Sequence, residues 1–250
     1  MKKLISVSAV TLLVLASIAC ASGSGNSSSG TRLNTISTDN LKKMMDEKKT
    51  FLLVDARSTQ EYQEAHISGA ISIPEKSLEE NKNLLPADKS TQIVIYCNGV
   101  QCGKSKRLGE KIAPLGYTNI LLYAEGIPVW EEKSLPIVPG PEYGRKIQTK
   151  MLNPVDIKML IDAKKSDYVL VDVRDASEFK AGHIPTAINI PAEKFASESG
   201  VLPKSKKIIV YCNTGSRSYL SYRKLISLAY TDINQTLFAD WKNAKMSIEK

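Results

Sequence analysis

Asp55-Ala-Arg-Ser-Thr-Gln-Glu-Tyr62 returns 117 positions later as Asp172-Val-Arg-Asp-Ala-Ser-Glu-Phe179. Directly beyond it, His66-Ile-Ser-Gly-Ala-Ile-Ser-Ile-Pro74 returns at the same offset as His183-Ile-Pro-Thr-Ala-Ile-Asn-Ile-Pro191, so no insertion falls within this block. Self-similarity at a fixed offset is the sequence signature of a repeated structural unit. The offset predicts two copies of one domain, each a little over 100 residues long.

The similarity continues toward the end of each copy. Val94-Ile-Tyr-Cys97 is matched by Ile209-Val-Tyr-Cys212 at an offset of 115. Trp130 is matched by Trp241 at an offset of 111. Both tryptophans come near the end of their copy, and we expect them to pack in the core there.

Length and composition limit the class of protein. With 250 residues, 42% of them hydrophobic, the chain is long enough for two domains with real cores, and a fibrous or low-complexity protein is excluded. Four cysteines are too few for a disulfide-stapled scaffold, and two histidines speak against a His-rich metal site. We place the first domain at residues 33–140 and the second at residues 141–250, connected by the Pro-rich stretch Leu135–Tyr143.

Each copy alternates short apolar segments with helical ones. Apolar runs without alternation, typical of parallel strands buried on both faces, occupy Phe51–Val54, Ile93–Tyr96, Ile120–Tyr123, Tyr168–Val171 and Lys207–Tyr211. Helices are predicted at Lys104–Ala113 and Ser218–Leu228, and after the cap-type residues Ser37 to Asp39 and Asn153 with Pro154. We therefore predict an α/β fold in which each domain is a parallel sheet with helices on both faces.

The formal net charge of +8 is unevenly distributed. Residues 33–140 carry 13 basic and 14 acidic side chains, whereas residues 141–250 carry 18 basic and 12 acidic ones. The excess of basic residues forms neither a dense basic tract nor a basic surface interspersed with aromatic residues. We therefore predict no nucleic-acid partner. We expect mild attraction of small anions to the second domain instead.

The amino terminus has the layout of a bacterial secretory signal. Two lysines are followed by the mainly apolar run Leu4–Ala19, which ends in small residues before Cys20. The run of about 16 residues is shorter than the ~20 that a membrane-spanning helix needs. Residues 21–30 read ASGSGNSSSG, the composition of a flexible tether. We predict a signal peptide at residues 1–19 and a tether at residues 20–32, and so an exported protein of the cell envelope.

The residues before Cys20 resemble the lipobox of bacterial lipoproteins, whose cysteine is lipidated and becomes the mature amino terminus. The resemblance implies a lipid anchor on Cys20 that holds the folded part on the outer side of a bacterial membrane, facing the periplasm where there are two membranes. Ser17 stands where a lipobox usually has Leu. A soluble exported protein cleaved after Ala19 or Ala21 is therefore the alternative.

The chemistry is expected at the cysteine that ends the predicted strand Lys207–Tyr211. Cys212 is followed by the loop residues Asn213, Thr214, Gly215, Ser216, Arg217 and Ser218, and then by a helix. A strand–loop–helix arrangement directs backbone N–H groups and the positive helix end at the sulfur, which lowers the pKa of the thiol and makes it a nucleophile. Gly215 lets the loop curl, and Arg217 offers a planar fork for an anionic substrate. The alternative of a buried structural cysteine is disfavoured by so particular a pattern.

Both copies resemble rhodanese domains, the sulfurtransferase fold, over nearly all of the chain after the tether. The second copy carries the family pattern throughout, in Asp172-Val-Arg, Glu178-Phe, Gly182-His-Ile-Pro and Cys212-Asn-Thr-Gly-Ser-Arg-Ser. The resemblance implies that a cysteine takes sulfane sulfur from a donor anion such as thiosulfate, becomes a persulfide, and passes the sulfur to a thiol or cyanide-like acceptor without a cofactor. By position, Cys212 is the implied sulfur carrier, and residues 213–218 are its substrate-binding loop.

The loop length favours sulfur chemistry over phosphoryl chemistry. A related fold in certain cell-cycle phosphatases separates its cysteine and arginine by one residue more, which makes room for phosphate. Here four residues separate Cys212 from Arg217. We therefore expect an enzyme similar to thiosulfate sulfurtransferases, and the alternative is a non-catalytic relay that carries persulfide or thiol redox state to a partner.

The first domain departs from the family pattern. Its loop runs Cys97-Asn-Gly-Val-Gln-Cys102-Gly-Lys-Ser105, two residues longer than its counterpart, without an arginine and with a second thiol. Cys97 keeps the strand-end position and is predicted as a second, altered catalytic cysteine. Two alternatives stay open: a disulfide between Cys97 and Cys102, or a redox or relay module in which Cys102 resolves a persulfide.

The other repeated polar residues are predicted to be structural. The two Asp-x-Arg pairs, at 55–57 and 172–174, follow strands, and we expect them to brace the loops through ion pairs and backbone hydrogen bonds. His66 and His183 precede apolar strands and have no ligand-type neighbours, so we expect hydrogen-bonded structural histidines and no metal site.

Overall fold

The computed structural model describes residues 33–250, which form two parallel sheets within one compact unit of the chain. The predicted signal peptide, tether and lipidated Cys20 lie outside the described residues. The strands of the first domain are β1 (Asn34–Thr35), β2 (Leu52–Asp55), β3 (Ala65–Ile67), β4 (Ala70–Ser72), β5 (Ile93–Tyr96), β6 (Ile120–Tyr123) and β7 (Ile137–Pro139). Its helices are α1 (Thr38–Asp46), α2 (Thr59–Glu64), α3 (Leu78–Asn81), α4 (Lys104–Ile112) and α5 (Gly126–Glu132), with short 3-10 turns between some of them.

The first sheet has the order β1-β6-β5-β2-β4, and every neighbouring pair is parallel. All four residues of the central strand β5 are buried. Its alternate side chains reach opposite faces, because Ile93 and Ile95 belong to one apolar core while Val94 and Tyr96 belong to the other. The sheet therefore has an apolar core on each face, as the runs without alternation predicted.

The second domain repeats this arrangement. Its strands are β8 (Tyr168–Asp172), β9 (Ile188–Asn189), β10 (Lys207–Cys212) and β11 (Ile233–Leu237), and its helices are α6 (Pro154–Asp162), α7 (Ala176–Ala181), α8 (Phe195–Glu198), α9 (Ser216–Ser227) and α10 (Phe238–Asn243). The sheet order is β11-β10-β8-β9, again parallel throughout. Side chains of β10 also alternate between two cores, with Ile208 and Val210 in one and Ile209 and Tyr211 in the other. The prediction of two similar α/β domains in tandem is confirmed.

The predicted strands agree with the observed ones to within one residue at each end. Both predicted helix caps are confirmed as well. The Ser37 side chain accepts a hydrogen bond from the N–H of Asn40, and the Asn153 side chain accepts one from the N–H of Asp156. These local signals could be recognised because each cap and its helix lie within a few residues of each other.

The connection Leu135–Tyr143 is more than the linker we predicted. Its residues Ile137–Pro139 form β7, which pairs antiparallel with β3. The N–H of Gly140 then donates to the carbonyl of Glu64 at 2.9 Å. Prolines are tolerated at this place because β7 lies at an edge, where one side of the strand needs no hydrogen-bond donor.

A buried ion pair ends one inner strand of each sheet. Asp172, the last residue of β8, accepts hydrogen bonds from Arg174 Nε at 3.0 Å and from the Arg174 backbone N–H at 2.9 Å. The same guanidinium donates to the carbonyl of Gly182 at 2.8 Å. Asp55 and Arg57 repeat this arrangement after β2. The prediction that these pairs brace the loops through ion pairs and backbone hydrogen bonds is confirmed.

The two domains are joined by a buried carboxylate. Glu132, at the end of α5, accepts hydrogen bonds from the backbone N–H groups of Ala196 and Ser197 at α8 of the second domain. Its Oε2 also lies 3.0 Å from Lys224 Nζ on α9. Because the Glu132 side chain is only 6% exposed, these contacts replace the water that a free carboxylate would bind.

The repeated tryptophans and histidines are structural, as predicted. Trp130 and Trp241 are buried and donate from Nε1 to the carbonyls of Pro136 and Ser247. Each histidine stacks on an aromatic ring of the preceding helix and has Nδ1 within hydrogen-bonding distance of that residue's carbonyl: His66 on Tyr62 and His183 on Phe179. In the described part of the chain, no helix combines the length and the apolar character needed to cross a membrane.

We expect Asp172→Asn to destabilise the second domain, because it leaves the buried guanidinium of Arg174 without a counter-ion. Breaking a buried pair in this way costs about 3–5 kcal/mol of unfolding free energy. Urea unfolding followed by tryptophan fluorescence measures the loss. Asp232→Asn, at an exposed aspartate of the same domain, is the matched control and should change stability by less than about 0.5 kcal/mol. Equal stability of the two variants would contradict a bracing role for the pair.

Candidate active site

Cys212 is the last residue of β10 and begins the loop that leads into α9. Its Sγ accepts hydrogen bonds from the backbone N–H groups of Gly215 at 3.2 Å and Ser218 at 3.4 Å. The Ser218 hydroxyl lies 3.5 Å from the same sulfur. Cys212 is 2% exposed. In this Cys212 loop (residues 212–218), the donors surround a single sulfur atom and favour negative charge on it.

These surroundings stabilise the Cys212 thiolate. Burial by itself raises the pKa of the thiol, but hydrogen bonds from the Ser218 hydroxyl and from the backbone N–H groups of Ser218, Gly215 and Thr214 lower it by more. The pKa of Cys212 therefore lies below its ordinary value. The N-terminus of α9, a helix of 12 residues, adds partial positive charge next to the loop. The arrangement is the one expected of an activated cysteine nucleophile.

The path of the loop depends on Gly215 and Gln235. Gly215 has φ of +107°, in the left-handed region, and caps α9, which is why the helix begins at Ser216, two residues before the predicted start. Gln235 of β11 is buried and donates from Nε2 to the Gly215 carbonyl at 2.9 Å and to Ser218 Oγ at 2.7 Å. Since Ser218 Oγ accepts from Gln235, its single proton is left for the Gly215 carbonyl or for the sulfur.

Arg217 has a protein partner in the structure. Its Nη1 and Nη2 donate to the two carboxylate oxygens of Glu178 at 2.5 and 3.0 Å, and Asp175 lies 3.4 Å away. The bidentate pair lowers the pKa of Glu178, opposed by burial. The planar fork that the sequence assigned to an anionic substrate is thus held by α7. Substrate binding by Arg217 stays a prediction, and its observed contact is one that positions the loop.

The first domain has a corresponding Cys97 loop (residues 97–105) after β5. Cys97 Sγ lies 3.3 Å from Ser105 Oγ and donates toward the Gly99 carbonyl at 3.8 Å. Cys97 is 1% exposed, whereas Cys102 is half-buried. The backbone N–H of Cys102 donates at 3.0 Å to the Gly99 carbonyl, the same carbonyl that Cys97 Sγ approaches. All three cysteines within residues 33–250 are free thiols. The structure therefore places two thiols together in the first domain and a single thiol in the second.

The two thiols shift each other's pKa in opposite directions. The pKa of Cys97 is raised, first by its interaction with the Cys102 side chain and then by burial. The pKa of Cys102 is lowered to about 5, first by its interaction with the Cys97 side chain. Burial opposes this shift, while the backbone N–H groups of Lys104 and Asn98 and the charge of Lys104 support it.

Lys104 of the first domain is the counterpart of Arg217. The sequence analysis missed Lys104 as a residue of the site. Its Nζ lies 2.9 Å from Glu61 Oε2, and Glu61 is the repeat equivalent of Glu178. Asn98 also donates from Nδ2 to Glu61. The available signal was that Lys104 and Arg217 each directly precede the serine that contacts the strand-end cysteine. The Cys97 loop lacks an arginine but keeps a cation paired with the same glutamate.

Gln235 is the second residue that sequence reasoning missed. In the register of the second sheet, Gln235 of β11 pairs with Val210 of β10. In the first sheet the matching position of β6 is Leu122, opposite Ile95 of β5. The polar support of the Cys212 loop therefore has no equivalent at this position in the first domain. The signal was the polar stretch Asn234-Gln-Thr236 in a buried strand.

The longer Cys97 loop also contacts the second domain. Gln101 donates from Nε2 to the carbonyls of Gly200 at 2.6 Å and Leu202 at 3.3 Å. Its Oε1 accepts a hydrogen bond from the Tyr230 hydroxyl at 3.4 Å. The residues inserted into this loop thus hold it against the neighbouring domain.

The remaining predicted substrate-binding residues lie around the mouth of the Cys212 loop. Thr214 and Ser216 are exposed, and Asn213 is half-buried, with its carbonyl accepting a hydrogen bond from the N–H of Ala239 at 3.1 Å. Within residues 33–250, no three His, Cys, Asp or Glu side chains are grouped so that they could hold a metal ion.

A duplicated parallel sheet with a cysteine loop after a central strand defines a rhodanese-like protein. Residues 37–133 and 153–243 each match the Rhodanese-like domain family. The two matches cover well over half of the chain, and the chain belongs to this family.

Several relatives with sequence similarity are sulfurtransferases. A sulfurtransferase of Allochromatium vinosum is 32% identical over 82 residues, which are 32% of this chain and 77% of that protein. A probable 3-mercaptopyruvate sulfurtransferase of Schizosaccharomyces pombe is 22% identical over an alignment 257 positions long, which covers 77% of this chain and 86% of that protein. Among solved structures, a thiosulfate sulfurtransferase from Pseudomonas aeruginosa covers 87% of this chain and 43% of its own, with 20% identity and a TM-score of 0.40. The family and the relatives support sulfur transfer as the general class of reaction.

We expect Ser218→Ala to raise the pKa of Cys212, because it removes a hydroxyl that stabilises the thiolate. A hydrogen bond to a charged group contributes about 1.5–3 kcal/mol, so the midpoint of thiolate formation should rise by about one to two pH units. The rate of iodoacetamide alkylation as a function of pH, followed on the Cys212 peptide by mass spectrometry, measures the midpoint.

The matched control for this measurement is Ser216→Ala, which removes an exposed hydroxyl from the same loop. Its alkylation profile should coincide with that of the unmodified chain. If Ser218→Ala also leaves the profile unchanged, the hydroxyl does not contribute to thiolate stability.

Proposed function

We propose that the protein is a sulfurtransferase that moves sulfane sulfur from an anion such as thiosulfate to a thiophilic acceptor through a persulfide on Cys212. The observation that carries the proposal is the pair of backbone N–H groups, from Gly215 and Ser218, that donate to Cys212 Sγ. They favour the thiolate over the neutral thiol, and the thiolate is the nucleophilic form of cysteine. Membership of the rhodanese-like family supports the same chemistry.

In the first step, the Cys212 thiolate attacks the outer sulfur of thiosulfate. A new sulfur–sulfur bond forms to Cys212, the bond between the outer sulfur and the sulfonate breaks, and its electron pair leaves with sulfite. The N–H donors that held the thiolate remain in place to stabilise negative charge on the persulfide. Thr214 and Ser216 stand exposed at the mouth of the loop, where an incoming anion meets them.

In the second step, the acceptor takes the outer sulfur. A thiolate or cyanide attacks that sulfur, its bond to Cys212 breaks, and the electron pair returns to Cys212 as thiolate. The two half-reactions make the kinetics ping-pong. Neither step needs a cofactor, because thiolates and sulfur–sulfur bonds carry all of the electron flow.

The charge distribution supports an anionic donor. Residues 141–250 carry 18 basic and 12 acidic side chains. The Cys212 loop lies within this domain, next to the positive end of α9. Arg217 adds a cation to the loop, while Glu178 holds its side chain in a defined direction. A small anion is therefore attracted to the domain that bears the activated thiol.

We expect Cys212→Ser to abolish turnover with thiosulfate and cyanide, because serine cannot form a persulfide. Thiocyanate formation measures turnover, and the mass of the intact chain after thiosulfate treatment measures loading. Cys97→Ser is the matched control, since it removes a buried strand-end thiol from the other domain, and it should keep the turnover that depends on Cys212. If Cys212→Ser keeps turnover and Cys97→Ser loses it, the two domains have the opposite roles. Loading of Cys212 without turnover would favour a persulfide relay.

We also propose that the mature protein is held at the outer side of a bacterial membrane by lipid on Cys20. The support is the sequence layout: two lysines, an apolar run, small residues before Cys20, and a Gly/Ser-rich tether before the first domain. A lipid chain stabilises membrane binding through its buried CH₂ groups. The tether then allows the folded domains to reach soluble donors and acceptors near the membrane.

We expect Cys20→Ala to move the protein from the detergent phase to the aqueous phase in a Triton X-114 partition of cells that express the full chain. Removal of the lipidation site is the physical reason. Ser17→Leu, which installs the usual lipobox residue, is the matched control and should remain in the detergent phase. Unchanged partition of Cys20→Ala would contradict a lipid anchor at this residue.

A further inference from the structure

The two cysteine loops use their backbone donors differently. In the second domain, the strand-end sulfur of Cys212 accepts N–H hydrogen bonds. In the first domain, the strand-end Cys97 has only the backbone N–H of Ser105 as such a donor, and its Sγ itself donates toward a carbonyl, that of Gly99, at 3.8 Å. A sulfur that donates to a carbonyl holds its proton, because a thiolate has none to give. Cys97 therefore lies in surroundings that favour the neutral thiol.

Cys102, unlike Cys97, lies directly beside the N-terminus of a helix. It immediately precedes Gly103, the left-handed N-cap of the nine-residue helix α4. The pKa of Cys102 is lowered by the neighbouring Cys97 side chain, by the backbone N–H groups of Lys104 and Asn98, and by the charge of Lys104. These groups favour a thiolate at Cys102.

The two thiols also differ in their exposure to solvent. Cys97 is 1% exposed, beneath its loop, whereas Cys102 is half-buried at the surface of the loop. A donor anion from solution therefore meets Cys102 first. Cys97 Sγ and the backbone N–H of Cys102 approach the same Gly99 carbonyl, at 3.8 and 3.0 Å, so Cys97 is placed to react with whatever Cys102 has bound.

We propose that Cys102 is the sulfur-accepting thiolate of the first domain, and that Cys97 is the buried resolving thiol that releases the sulfur as sulfide. This assignment rests on the proposed sulfur transfer but concerns a second site and a different product. It also reverses the roles that strand-end position alone gave to the two cysteines.

The reaction balances in two steps. The Cys102 thiolate attacks the outer sulfur of thiosulfate, and sulfite leaves with the electron pair of the broken bond. Cys97 then loses its proton and attacks the Cys102 sulfur, so that the Cys97–Cys102 disulfide forms and the outer sulfur leaves as hydrosulfide. Two thiols are oxidised to one disulfide, and one sulfane sulfur is reduced to sulfide. An external dithiol reduces the disulfide by exchange and restores both thiols.

The test uses the full chain with Cys212→Ser, which silences the second domain, and no added reductant. After thiosulfate treatment, this chain should release one sulfide for each sulfite and acquire a disulfide within the Cys97 loop. With Cys97→Ser added, a persulfide should accumulate on Cys102 without sulfide release. With Cys102→Ser added, both loading and sulfide release should fall by at least about tenfold, because the remaining thiol is buried and protonated.

The last two variants are matched, since each keeps one thiol of the pair. A second measurement needs no substitution: iodoacetamide in weakly acidic buffer should label Cys102 ahead of Cys97 in the unmodified chain. A persulfide found on Cys97, or labelling of Cys97 first, would overturn the assignment.

Failure of this inference can be told apart from failure of the proposed function. Turnover with cyanide by the unmodified chain depends on Cys212 and not on the thiols of the first domain. If that turnover is present while neither Cys97 nor Cys102 becomes loaded, only the assignment for the first domain is wrong. If Cys212 itself neither loads nor turns over, the proposed function is wrong.

Discussion

The buried aspartate–arginine pair after an inner strand is the contact on which both halves of the molecule depend. In the second domain, Asp172 holds Arg174, and Arg174 reaches the carbonyl of Gly182 beyond the end of α7. The helix fixed in this way carries Glu178, which pairs with Arg217 of the Cys212 loop. The first domain repeats every link of this series in the same order. A buried ion pair tolerates little displacement once its partners are desolvated. The position of the Cys212 loop is therefore fixed relative to the sheet through this pair.

The fold could be predicted because its strands are buried on both faces and short. Ile93–Tyr96 and Ile120–Tyr123 were placed to the residue, since an apolar run bounded by polar residues has few other interpretations. The strand Ile137–Pro139 could not be predicted. Its pairing with Ala65–Ile67 joins residues about 70 positions apart in the chain, and three prolines within the connection Leu135–Tyr143 suggested a linker. The composition of a segment indicates only its local conformational preference, whereas an edge strand forms only where a partner strand is available to pair with it.

The candidate site was predictable to the extent that it is local. Cys212 and its donors lie within six residues of one another, so the order strand, loop, helix was enough to bring them together. The supporting contacts are long-range: Gln235 reaches the Cys212 loop from the neighbouring strand, and Lys104 meets Glu61 across 43 positions. Such contacts depend on sheet register, which a single sequence does not reveal. The fork of Arg217 was assigned to a substrate for the same reason, since its carboxylate partner on α7 could not be seen.

The contrast between the two domains shows how little change a common scaffold needs in order to offer a sulfur atom different surroundings. Both domains keep a strand-end cysteine, a serine in contact with it and a loop cation paired with an equivalent glutamate. The differences are two extra loop residues and a leucine, Leu122, at the position of Gln235. The longer loop places Cys102 directly before Gly103, the N-cap of α4, while Gln101 holds the loop against the second domain. Since thiolate stability follows the donors rather than the strand, the geometry of the loop decides which cysteine is reactive.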